Sequence, residues 1–145
     1  MLKSAQVNKM EEESRQIKEV SEKVNLLSNA VIGCAIEVHR HLGPGFTENI
    51  YEEALCEELC RAQIPFKRQH PVKVFYKGRL AGEFRLDLLV GDLLIVELKA
   101  VSEIAEIHAA QARSYLKATS LQLALLINFN VRLLREKGIR RVVLT

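Results

Sequence analysis

Charged residues that interrupt apolar strand-like runs are the first sign of chemistry in this chain. In Leu93-Leu-Ile-Val-Glu-Leu-Lys99 successive side chains alternate across a strand, so Ile95, Glu97 and Lys99 share one face while Val96, Leu98 and Ala100 share the other. An acid and a base thus sit side by side at the end of an apolar strand. Asp87 breaks the preceding run, Phe84-Arg-Leu-Asp-Leu-Leu-Val90, in the same way. A turn at Gly91-Asp92 folds the two segments together and brings Asp87 towards Glu97 if their register puts both on one face. Two close carboxylates repel each other, and a divalent cation is the usual reason a protein tolerates them. An ammonium at Lys99 then suits the orientation or deprotonation of a metal-bound water, or the neutralisation of an attacked phosphate. The same residues also fit a structural account, with Glu97 and Lys99 as a same-face ion pair and Asp87 as a surface acid near a turn.

Further polar residues fall on helical faces that ought to point inward. The stripe Tyr51, Leu55, Leu59, Ala62 extends back by one turn to Glu48, which makes Glu48 a third inward carboxylate or, alternatively, an acid placed in a first turn by the helix dipole. On a later helix Ile104, His108, Gln111, Tyr115 and Ala118 share a face, a polar stripe where core residues are expected. Gln111 suits a base edge, a phosphate or a catalytic water, Tyr115 reads as packing with a bonded hydroxyl, and His108 reads as a satisfied, partly buried histidine ahead of a ligand.

Elements that position these residues follow from periodicity and punctuation. Residues 8–23 are densely charged and predict an exposed helix or frayed segment, so residues 1–24 read as an N-terminal extension to a single domain over 25–145. Leu27, Val31, Ala35, Val38 and Leu42 predict a helix over about 25–42, stopped by Gly43-Pro44, and a second follows over about 46–63, ending before Pro65. The period then changes to two, predicting strands over about 66–76, 79–90 and 93–100 joined by short turns at Lys77-Gly78 and Gly91-Asp92, hence an antiparallel meander. A helix over about 103–118, with Ser102 as its N-cap, leads to the continuous apolar run Leu123-Ala-Leu-Leu-Ile127. Such a run reads as a strand covered on both faces, and its arrival after a crossover makes it parallel to a meander strand. A short strand over about 141–144 closes the order α-α-β-β-β-α-β-β, an α/β chain with a mixed sheet.

Composition bounds the function classes. A chain of 145 residues is one domain's worth, with 48% apolar and 27% charged residues and no apolar run long enough to cross a bilayer. The charged N-terminus lacks the apolar core of a secretory signal, which points to a cytoplasmic protein without membrane attachment. Cys34, Cys56 and Cys60 lie in helical segments without a zinc pattern and read as small hydrophobes. A net charge of +3 is too small to argue nucleic-acid binding in bulk, yet Arg132, Arg135, Lys137, Arg140 and Arg141 stand against Glu136 alone near the C-terminus. That cluster reads as a phosphate-facing patch or as a solvated edge kept soluble by its charges.

Taken together, Leu42-Gly-Pro-Gly-Phe-Thr-Glu-Asn-Ile-Tyr51, with Gly45, Glu48 and Tyr51 in G-x-x-E-x-x-Y spacing, resembles the GxxExxY protein family of the PD-(D/E)XK nuclease-like superfamily. The resemblance continues through Asp87, Glu97-Leu-Lys99, His108 with Gln111 and Tyr115, and Leu125-Leu-Ile-Asn-Phe-Asn130. It implies a mixed sheet with an α-β-β-β-α-β core and a site in which Glu48, Asp87 and Glu97 bind Mg²⁺, with Mn²⁺ as a substitute. It further implies that Lys99 activates water, that Gln111 assists, and that the substrate is a DNA or RNA phosphodiester. Leu86 stands before Asp87 where the superfamily's motif has proline. Two functions follow: a Mg²⁺-dependent nuclease, or a non-catalytic module of the same fold that holds nucleic acid or a partner protein through its basic C-terminal segment, as a homodimer.

Overall fold

A computed structural model describes residues 19–144. The predicted extension therefore lies outside the described residues except at its end, where Ser21 accepts from the Val24 N–H and caps the first helix three residues before the periodicity suggested. The elements are α1 (Glu22–Leu42), α2 (Glu48–Arg61), β1 (Phe66–Tyr76), β2 (Arg79–Val90), β3 (Leu94–Lys99), α3 (Glu106–Thr119), β4 (Leu123–Asn128) and β5 (Ile139–Val143). A single π turn, Leu134–Gly138, precedes β5. The sheet runs β1-β2-β3-β4-β5, antiparallel throughout except for the β3–β4 pair, which α3 connects as the apolar run of β4 predicted. None of the described helices is long and apolar enough to cross a membrane.

Two apolar layers hold the sheet. On one face α1 and α2 pack Val31, Ala35, Val38, Tyr51, Leu55 and Leu59 against Val96, Leu98, Leu125 and Ile127. On the other α3 packs Ala109, Ala112 and Leu116 against Ile95, Ala124 and Leu126. All six residues of β4 are buried, because both layers cover it. The cysteines are free: Cys56 is buried and Cys34 half-buried, but Cys60 is exposed and so is no core hydrophobe.

One irregularity organises the site side of the sheet. In a regular strand residues six apart share a face, yet Phe66 packs in the α1–α2 layer and Val72 in the α3 layer. Across the ladder Leu88 and Leu86 are divided in the same way. Both strands therefore turn over between Arg68 and His70 and between Leu88 and Leu86, where the ladder lacks a Gln69–Asp87 pair and Gln69 takes the left-handed φ of 48°. β3 follows β2 only to the Leu88–Val96 pair, so beyond Asp87 the two strands part.

Helix ends differ from the sequence reading in one instructive place. The N-cap of α3 is Ala105, not Ser102, and the backbone N–H of Ala105 donates to Nδ1 of His108 at 2.9 Å. A histidine one turn in thus takes up an orphan donor that the predicted serine would have served. At the head of α2, the Tyr51 hydroxyl donates to the Gly43 carbonyl at 2.6 Å and accepts from the Phe46 N–H at 3.2 Å, while its ring stacks on Phe129 at 4.4 Å. Gly45 between them has φ 112°, which only glycine adopts without strain. Tyr51→Phe removes both bonds inside a buried setting and should cost about 1–3 kcal/mol, read as a fall in urea midpoint with an unchanged m-value. An unchanged midpoint would show that the loop is held by packing alone.

Candidate active site

Where β2 leaves β3, side chains replace the missing ladder. The Asp87 N–H donates to Oε1 of Glu97 at 3.2 Å, and the Leu98 N–H donates to Oδ2 of Asp87 at 2.8 Å. Each carboxylate thus satisfies a backbone donor that the parted strand no longer serves, and each keeps one oxygen for another partner. Glu97 is buried and Asp87 half-buried. Burial, then the Asp87 charge and a side-chain hydrogen bond with Asp87, push the Glu97 carboxyl from its ordinary 4.5 up to about 9, with Lys99 opposing weakly. Burial and the neighbouring acid thus favour the protonated form of Glu97.

On the α1–α2 side a cleft of about 590 Å³ opens against Asp87, lined also by Phe46, Glu48, Asn49, Glu52, Gln69 and Leu98. Glu48 is the first residue of α2 and is exposed to this cleft rather than turned into the core. The cleft lining includes neither Glu97 nor Lys99. Those two lie towards α3, where Tyr115 stacks on Phe84 at 4.1 Å and its hydroxyl is held above the usual range by burial, then by the Glu97 and Asp87 charges, with the Gln111 side chain opposing. Gln111 is itself exposed, at the rim rather than in the interior. The predicted residues are therefore joined in pairs: Glu48 with Asp87 across the cleft, Asp87 with Glu97 through the strand gap, and Glu97 with Lys99 along β3. Among the described residues no three His, Cys, Asp or Glu side chains are grouped closely enough to hold a metal by themselves.

Other residues are assigned by what they touch. Tyr51 clamps the loop before Glu48, and His108 caps α3, so both support the site from outside it. Arg140 pairs with Glu106 at 2.7 Å and Arg141 donates to Asn25 at 2.6 Å, while Arg132, Arg135 and Lys137 are exposed. The basic C-terminal segment is therefore partly committed to holding β5 against α1 and α3. Burial pushes the Cys56 thiol up to about 11, so it offers no nucleophile.

Glu52 carries a larger share of the site than its sequence context suggested. It is buried one turn after Glu48, and its two oxygens accept from Arg68 and from Gln69, each at 2.7 Å. Consecutive residues of β1 thus face the same helix, which is possible only because the strand turns over at Gln69. The i, i+4 spacing from Glu48 was the available signal.

A model of the PD-(D/E)XK nuclease superfamily matches residues 25–142. The chain belongs to the PD-(D/E)XK nuclease superfamily. No curated protein and no solved structure matches it significantly. Nucleases of this superfamily typically use divalent metal ions. The donor set here fits such an ion: two adjoining carboxylates, each accepting one backbone N–H, suit Mg²⁺, which keeps most of its waters and takes one or two protein carboxylates.

The raised Glu97 value fixes a pH dependence. In the metal-free protein the folded carboxyl keeps its proton to about pH 9, whereas the unfolded one releases it near 4.5, so folding takes up a proton between those limits. This contribution is complete below the lower limit and is lost as pH rises through the window, by up to about 1.4 kcal/mol per pH unit. In EDTA, Glu97→Gln should remove that slope and melt higher than wild type at pH 8, by roughly 5 °C or more. Parallel melting curves for the two proteins between pH 5 and pH 9 would contradict the raised Glu97 carboxyl.

Proposed function

We propose that this protein is a cytoplasmic, Mg²⁺-dependent nuclease of the GxxExxY type that hydrolyses nucleic-acid phosphodiester bonds. The observation that carries the reading is the contact of Asp87 with Glu97 at the strand gap, beside the cleft and in line with Lys99. Gly45, Glu48 and Tyr51 support the finer family assignment, since the left-handed glycine and the tyrosine clamp explain why that spacing sets an acid at the mouth of a cleft.

Asp87 and Glu97 would hold the ion. Bound there, a divalent cation lowers the pKa of a coordinated water and neutralises charge on an attacked phosphate. Glu48, across the cleft, would serve as a further ligand or hold water through its exposed carboxylate. Lys99 orients the attacking water and meets the negative charge that grows on the phosphoryl oxygens. On α3 the Tyr115 hydroxyl lies within the field of the same two acids and the Gln111 side chain reaches that hydroxyl, so the two would support the Glu97 side. Arg132, Arg135 and Lys137, which make no ion pair among the described residues, supply charge for phosphates.

A second reading, a non-catalytic nucleic-acid- or protein-binding module of the same fold, draws on one observation: Glu48 and Glu97 do not share the cleft lining. Charge distinguishes the two readings. Asp87→Asn and Glu97→Gln remove negative ligands and should abolish both Mn²⁺ binding, measured calorimetrically, and cleavage of a mixed DNA and RNA panel. Lys99→Ala should leave Mn²⁺ affinity equal or slightly higher, because repulsion between cations is relieved, while cleavage falls at least ~10²-fold. Wild type that binds no metal, or cleavage that persists in all three variants, favours the binding module.

A further inference from the structure

The long hairpin of β1 and β2 has a surface that the site does not use. From Pro71 to Arg85 it carries four bases, Lys73, Lys77, Arg79 and Arg85, against Glu83 alone, and so holds a charge excess equal to that of the whole chain. All four bases are exposed, and none makes an ion pair among the described residues. At the same tip Phe75 is 62% and Tyr76 66% exposed, with Leu80 beside them at 58%. Lys77 lies over the Tyr76 ring at 5.4 Å.

Consecutive residues of a strand face opposite ways, so Phe75 and Tyr76 present one aromatic ring to each side of the ribbon. A register shift between Val74 and Phe75 re-aims the end of the hairpin, after which Phe75 pairs with Leu80 and Tyr76 with Arg79. Large apolar side chains at a tip that packs on none of the described residues are costly to keep in water unless a partner covers them. Four positive charges without an acidic partner among the described residues disfavour a second copy of this chain, whose tip carries the same charges, and favour a polyanion. Phosphates alone would need only the bases. Aromatic rings flanked by bases suit bases that are not already stacked in a duplex, because each unstacked base offers a face for the ring.

We infer that the β1–β2 hairpin tip binds single-stranded nucleic acid, with Phe75 and Tyr76 stacking on bases and Lys73, Lys77, Arg79 and Arg85 on phosphates. The hairpin leads directly to Gln69 and Asp87, where both strands turn over at the cleft, so a strand held at the tip is delivered towards the acidic pair. The inference rests on the proposed nuclease reading only for this last step. Binding itself requires neither metal nor cleavage.

Fluorescence anisotropy in EDTA, with labelled single-stranded and duplex oligonucleotides of DNA and RNA, tests it. Wild type should bind single strands more tightly than duplex. The double variant Phe75→Ala with Tyr76→Ala should weaken single-strand binding by at least ~10-fold with little change in the salt slope, whereas Lys77→Ala with Arg79→Ala should lower that slope by about one to two. The tip lies outside both apolar layers, and an unchanged melting temperature verifies that the variants fold. Tip variants that bind as wild type overturn this inference and leave the nuclease reading intact. Wild type that binds no oligonucleotide in EDTA also overturns this inference, while the nuclease reading stands or falls with the metal-dependent cleavage assay. Sedimentation in which the tip variants change a dimer into a monomer, without loss of oligonucleotide affinity, identifies the tip as a contact between copies instead.

Discussion

The exchange between Asp87 and Glu97 is what the sheet's unusual shape depends on. Strands that separate inside a protein leave backbone donors without partners, each a loss of about 1–3 kcal/mol if unmet. Here the Asp87 N–H and the Leu98 N–H are met by the carboxylates of Glu97 and Asp87. The side chains that would do the chemistry are thus the ones that let the sheet open, and the opening gives Asp87 access to the cleft. Neither acid can be replaced by an apolar residue without stranding a donor, so stability and the proposed activity draw on the same two groups.

The rest of the site follows from that opening. Once β1 turns over at Gln69, Arg68 and Gln69 both reach Glu52, and a buried acid on α2 becomes tolerable because two donors meet it. Through Glu52 the helix is fastened to the irregular part of the sheet, and through Tyr51 to Gly43 and Phe129. Glu48, one turn earlier, is then carried on a helix end that cannot swing. Exposure to the cleft and rigidity of the backbone beneath it are the conditions a preorganised carboxylate requires.

Much of this was legible from residue order. Two-residue turns at Lys77-Gly78 and Gly91-Asp92 dictate an antiparallel meander, and the unbroken run from Leu123 to Ile127 dictates a strand buried on both faces, as β4 is. The partnership of Asp87 and Glu97 was readable up to its register, which Leu88 against Val96 supplies. What could not be read was the turning over of β1 and β2, because glutamine gives no sign of a left-handed φ as glycine or asparagine would. Glu52 was hidden for a related reason: its partner Arg68 lies in a strand whose facing is changed by that same residue. The cap of α3 was missed since Ser102 is a stronger capping residue by type than Ala105, and a histidine reaching back from inside the helix has no such signature.

β1 lies at the edge of the sheet, where a row of unpaired donors and acceptors ordinarily invites another molecule's strand to join and polymerise. Its regularity is broken at Gln69, its next-but-one residue Pro71 has no N–H to offer, and the register shifts again after Val74. Three interruptions within one strand leave no straight stretch on which a foreign strand could zip. The distortion that opens the cleft therefore also protects the molecule from edge-to-edge aggregation, and a substitution that straightened Gln69 would be expected to harm solubility at the same time as the site.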